Sequence, residues 1–404
     1  MRTKLTILLF SFFIISCHPV RKAQVATFTQ GQVVQKNYTE EIAFDYYHSI
    51  IFLTVEIDKK NYSFVFDTGN SLTVLDDDVY SELMSKDNEV YGKTTDVNND
   101  KRATQYISMK NMQLGKVEFD NFGAQVTDLS ALSVVLGCRQ IDGILGMNFI
   151  KKSKWQIDFK NKKIRFSDDL SKLSVGEKAI SLNVVDKKQV FMNFELMLNG
   201  VSEVYLLDSA SNGGIQGSLA AKDKINAKEE LKELQTESFS TGAFGTKINK
   251  AYYTIMPSFQ IDGVGFKNEI VQFVDQKAKF GTAFLDDYLL TIDYDSGMIY
   301  LDDPSKKANP VVNQFEISFR ANYEDVSLEV GKIWEASIPE LTLGTKIIKI
   351  NNVDVSNFDR AELCAYWEIE ANKIQNMDQV TVQINHNGTP KNIELSRKNL
   401  LGEI

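Results

Sequence analysis

Two stretches of this chain repeat one another, and the repeat dictates how it must be built. From Phe52 to Gly69, apolar and polar positions alternate, cross a polar turn at Asp58 to Asn61, and run through a second apolar stretch into Asp67-Thr68-Gly69. Asn193 to Ala210 copies that layout without a gap, with Asn199-Gly200 as the turn and Asp208-Ser209-Ala210 as the ending. A period of two marks half-buried strands, and Asn-Gly accepts the positive φ angles of a tight hairpin. The two aspartates stand 141 residues apart. A second pair of segments, Gly146 to Phe166 and Gly281 to Leu301, repeats at an offset of 135: glycine, a short apolar turn, then Ile157-Asp158-Phe159 or Ile292-Asp293-Tyr294 and a closing strand. Duplication on this scale predicts two related β-rich lobes, residues 41–170 and 178–304. Helix is expected only in short pieces, such as Asp76 to Met84 and Ala227 to Leu234.

Three motifs give the repeat a family likeness: Phe64-Val65-Phe66-Asp67-Thr68-Gly69, Asp142-Gly143-Ile144-Leu145-Gly146, and Leu206-Leu207-Asp208-Ser209-Ala210. Together they resemble the pepsin-like and retropepsin-like aspartic proteases, in which an apolar strand delivers Asp-Thr/Ser-Gly to a turn and an apolar-apolar-Gly strand crosses it. The resemblance implies a mainly β, bilobal acid-protease-like barrel body. It also implies an aspartic-type endopeptidase that hydrolyses a polypeptide substrate with water activated between Asp67 and Asp208, using no cofactor and no metal. Thr68 and Ser209 would brace the two loops, and the backbone N–H groups of Gly69 and Ala210 would hold the carboxylates. Two facing carboxylates can serve as base and acid because like charges held close share one proton.

Ala210 stands where the family usually has glycine, and Asn70 where it has a small or hydroxyl residue. These departures sustain an alternative, a catalytically inactive peptide-binding adaptor of the cell envelope. A third reading is an envelope scaffold in which both lobes are only structural. The segment Ser238 to Thr246 has the form of a flap hairpin, with residues 95–106 as its first-lobe counterpart; two ordinary surface hairpins are the other reading.

Composition narrows the chemistry further. A net charge of −9 and a pI of about 5.1 exclude a nucleic-acid partner. Three histidines leave little room for metal or imidazole chemistry, and an aspartyl dyad needs neither. Asp293 to Gly297 lacks the downstream ligands of a calcium loop and reads as a turn, as does Gly263-Val264-Gly265. Cys138 and Cys364 lie far apart in different expected domains and read as separate buried thiols.

The two ends carry other signals. Arg2 and Lys4 precede an apolar run that stops at Ser16-Cys17, a secretory signal too short to span a membrane. Ile14 to Cys17 resembles the bacterial lipoprotein box, which implies residues 1–17 as a signal peptide, lipidation at Cys17, a tether over 18–40 and an envelope protein meeting the membrane only through its lipid; an ordinary signal with an incidental cysteine is the other reading. After a polar linker, Ser305 to Asn309, the pattern changes. Val330 to Pro339, Leu343 to Val355, a helix from Arg360 to Ile369 and a hairpin from Val380 to Leu395 resemble a PDZ domain over 311–404, an α+β module. Such modules take a C-terminal peptide ligand by strand addition, here with a capturing loop expected around Phe319 to Leu328. The competing reading is a module that packs against the body and orients it.

Overall fold

The computed structural model describes residues 30–83, 90–95, 100–186, 190–226, 231–242, 245–302, 313–322, 324–334 and 338–402. Cys17, the expected signal and the Ser305 to Asn309 linker lie outside them.

The protein is mainly β, and its two lobes use one wiring plan. In the first, strand Ile50–Ile57 turns through Asp58 and Lys59, at φ of 49° and 69°, into the antiparallel strand Lys60–Phe66. In the second, Asn193–Leu198 turns through Asn199 and Gly200, at φ of 44° and 68°, into Val201–Leu207. A short strand then crosses each hairpin. Gly143–Leu145 runs parallel to Lys60–Phe66 and antiparallel to Thr73–Asp76. Lys279–Phe280 runs parallel to Val201–Leu207 and antiparallel to Ile215–Ser218.

A six-stranded sheet joins the lobes, with Lys154–Asp158 of the first antiparallel to Leu289–Asp293 of the second. Gln156 pairs with Thr291, its own counterpart under the 135 offset, and its amide donates to Thr291 Oγ1 at 3.0 Å. A pseudo-two-fold axis therefore passes between them. Beneath this sheet lies a core shared by both lobes, in which Trp155 stacks on Phe166 at 4.8 Å and donates its indole N–H to Ile150 O at 2.6 Å. Burying each such ring stabilises the fold by about 1.5–3 kcal/mol.

Several expectations are corrected. Residues 30–40, assigned to a tether, include Gln32–Val33, paired with Val117–Asp120, and the start of Thr39–Ala43, which forms the edge of the inter-lobe sheet against Lys163–Ser167. Their alternation is short, but lobe edges that would otherwise be unpaired accept it. The second-lobe helix is Leu219–Asn226, earlier than expected, with Ser218 Oγ accepting the N–H of Ala221, while Glu233 and Leu234 open a long strand.

Cys138 and Cys364 form a disulfide across 226 residues of sequence, where separate thiols were expected. Sequence distance concealed a spatial contact: Cys138 follows the Ser130–Val135 helix of the first lobe, and Cys364 lies on the Arg360–Gln375 helix of the C-terminal module. Val134 inserts into the apolar core of that module, beside Ile317, Ala321 and Leu363.

The module contains the expected pieces. Ile347–Ile350 and Val353–Asp354 flank Asn351 at φ 52°, the helix starts on an Asp359–Glu362 capping box, and Gln379–His386 and Thr389–Ser396 pair through Asn387-Gly388. The expected capturing loop is instead a hairpin, with Ala321 opposite Leu328, because the apolar alternation continues through it. Ser327–Trp334 of this hairpin pairs with Glu233–Gly242 of the second lobe. Lys332 Nζ donates to the Tyr253 hydroxyl of the second lobe at 3.0 Å and lies 3.8 Å from the ring of Trp334 on its own strand.

Candidate active site

Asp67 and Asp208 leave the ends of equivalent strands, each held by the crossing strand beside it. The Asp67 N–H donates to Leu145 O at 3.0 Å, and the Asp208 N–H to Phe280 O at 2.9 Å. Both turns then fold back on their own carboxylates: Gly69 N–H donates to Asp67 Oδ1 at 2.7 Å, and Ala210 N–H to Asp208 Oδ1 at 3.2 Å.

The hydroxyl residues lock the turns together reciprocally. Thr68 N–H donates to Ser209 Oγ at 3.0 Å and Ser209 N–H to Thr68 Oγ1 at 2.9 Å. Thr68 Oγ1 donates to Leu207 O at 2.7 Å, and Ser209 Oγ to Phe66 O at 2.8 Å. Both side chains are fully buried, so every partner would be orphaned by their loss. Thr68→Val, close to isosteric, leaves Leu207 O and the Ser209 N–H without partners; a loss of about 2–4 kcal/mol is expected in denaturant titration.

The backbone approaches closely around the dyad. A methyl on Gly69 would lie 2.6 Å from Asp208 Oδ1, which places the second carboxylate over the residue whose amide holds the first. Glycine is required there by space alone. The methyl of Ala210 instead packs beside an apolar cluster that includes Ile50, Phe52 and Val65, and its amide still reaches Asp208. Asn70 acts through its backbone, its carbonyl accepting the Met147 N–H at 2.8 Å, as Ser211 O accepts the Thr282 N–H at 2.8 Å in the other lobe.

Burial, and next the negative charge of Asp208, push the Asp67 carboxyl up to about 7; the amides of Gly69 and Asn70 and the ammonium of Lys279 oppose the rise. Lys279 lies 3.2 Å from Asp208 Oδ2, a contact that reading the motifs alone passed over. The 135 offset held the signal, since it sets Lys279 opposite Ile144.

Residues 53–149 match a family model described as aspartyl protease. That segment holds Asp67, its turn and the crossing strand Gly143–Leu145, and the match supports a protease-like hydrolase. No curated protein matches the chain.

Both hairpins expected as flaps exist, with the segments 96–99 and 243–244 outside the described residues. Val90–Thr95 pairs with Lys101–Met109, and Glu233–Gly242 with Gly245–Ile261. They meet each other at an ion pair, Lys247 Nζ to Asp100 Oδ1, 2.9 Å. The second hairpin is tied along one edge to the C-terminal module, which an ordinary surface hairpin would not be.

The raised Asp67 carboxyl predicts a stability signature. Its unfolded value is the ordinary 3.8 and its folded value about 7, so the folded state binds the extra proton and stability falls as pH rises between them. Asp67→Asn removes that cost. The variant is expected to match the parent below about pH 4 and to exceed it by about 1–3 kcal/mol above about pH 7, read from thermal melts across pH.

Proposed function

We propose that the protein is an aspartic-type endopeptidase in which Asp67 and Asp208 activate water for hydrolysis of a peptide bond. The observation that carries this reading is the reciprocal grip of Thr68 and Ser209, which holds two amide-bound carboxylates about one pseudo-symmetry axis. A carboxyl that keeps its proton to about pH 7 is suited to give it to the substrate carbonyl oxygen. Asp208, ion-paired to Lys279, would take a proton from the attacking water. Water's oxygen bonds to the carbonyl carbon; as the C–N bond then breaks, the leaving nitrogen receives the proton taken from water and one hydroxyl of the intermediate returns its proton to Asp67, which restores the dyad.

The amide contacts retained at Ala210 and Asn70 favour the enzyme over the inactive adaptor. Purified full-length protein is expected to cleave an unfolded polypeptide such as labelled casein in a pepstatin-sensitive manner, with the rate falling above about pH 7 as Asp67 loses its proton. Peptide binding without turnover at any pH would favour the adaptor.

We read residues 311–404 as a PDZ-like module that orients the body. Its edge strand, Ile317–Asn322, lies beside the Arg360–Gln375 helix, and Val134 of the first lobe is already seated in the core there. That arrangement supports docking over capture of a free C-terminal peptide. The Cys138–Cys364 bridge supports an exported, envelope location, because disulfides persist in oxidising compartments. Cys17 is the proposed lipid attachment site.

A further inference from the structure

Lys279 puts a cation beside the dyad where the repeat calls for an aliphatic side chain. Its counterpart, Ile144, is 6% exposed in an apolar cluster. A lysine in such a position must find a partner for its ammonium. It does so on Asp208, with the two side chains only 16% and 13% exposed.

Among the described residues, the charged groups on the elements packed around Lys279 are held elsewhere, and Asp208 is the one carboxylate in contact with its ammonium. On the flanking strands, Lys279 lies opposite Leu206 and Gln216. Glu203, on the Val201–Leu207 strand, takes the Ser218 amide at 3.3 Å, Tyr205 on that strand keeps its proton, and Lys277 lies two residues before. Asp67 approaches from the other lobe, and its own hydrogen bonds come from backbone amides.

We propose that Lys279 is a positioning residue that fixes Asp208 as the anion of the pair and leaves the shared proton with Asp67, drawing the working pH range of the dyad downward. The inference rests on the protease reading. A cation favours the charged forms of both carboxyls, so both proton-release steps of the coupled pair move toward acid. Pseudo-symmetry would otherwise leave the two roles interchangeable.

The test uses the full chain, labelled casein as probe, and the variants Lys279→Met and Lys279→Arg. Lys279→Met is expected to move both limbs of the rate profile to higher pH by about one unit: about tenfold slower on the acid limb and about tenfold faster on the alkaline limb. Lys279→Arg should restore the parent profile. An unmoved profile, or a loss uniform across pH, overturns the proposal.

Thermal melts across pH supply a readout that needs no turnover. Lys279 acts on the charged form of Asp208, so the parent's advantage over Lys279→Met should grow from acid to neutral pH. A constant difference overturns the proposal. If no protein cleaves casein while the melts show the growing difference, the protease reading fails and the Lys279–Asp208 coupling stands.

Discussion

Asp67→Asn and Asp208→Asn should each lower casein cleavage by about a thousandfold or more while the protein stays folded. In the proposed mechanism an amide can neither hold the shared proton nor accept one from water, so either change removes one half of that chemistry. The double variant should be little worse than either single one, since groups that act as a unit are not additive. The two changes separate in stability. Asp67→Asn relieves a carboxyl that burial and Asp208 make costly to charge, so it should gain stability at neutral pH as it loses activity. Asp208→Asn instead strands the Lys279 ammonium, 3.2 Å away, and should lose stability. Cleavage that survives both single changes would exclude the dyad.

Replacing the disulfide, as Cys138→Ser with Cys364→Ser, should cost about 2–5 kcal/mol of stability, because the bridge closes a loop of more than two hundred residues in the unfolded chain. The structural consequence should be local. The module would lose its covalent hold on the first lobe but keep its strand pairing to the second through Thr236 opposite Trp334, Glu237 opposite Ile333 and Ser238 opposite Lys332. Hydrogen exchange should therefore quicken over the Ser130–Val135 and Arg360–Gln375 helices and stay slow along the Glu233–Gly242 strand. Unchanged stability together with unchanged exchange would show that the bridge merely decorates a contact already secure.

The candidate site was legible where its motifs are local. Asp67-Thr68-Gly69 and Asp208-Ser209-Ala210 end matching alternating runs, and period-two patterning around a polar turn, Asp58 to Asn61 or Asn199-Gly200, suffices to write a hairpin. The first-lobe crossing strand was readable from its glycines in Asp142-Gly143-Ile144-Leu145-Gly146, whereas its counterpart Lys279–Phe280 contains no glycine. The Cys138–Cys364 bond was not, since two cysteines give no pairing information without the fold between them. The short strands of residues 30–43 were also missed: edge pairing depends on which sheet lies nearby, which composition does not encode.

The sequence by itself determined two duplicated β lobes, the pair of aspartates, the hydroxyls that would brace them and the appended module, because each follows from repeated local patterns. Only the tertiary structure decided how these parts constrain one another. It set the Asp208 carboxylate over Gly69, raised the Asp67 carboxyl by burial and by that neighbouring charge, paired Lys279 with Asp208, and fastened the module to both lobes. Charge coupling, burial and cross-links depend on distances in space, and residues 141 or 226 positions apart acquire those only when the chain is folded.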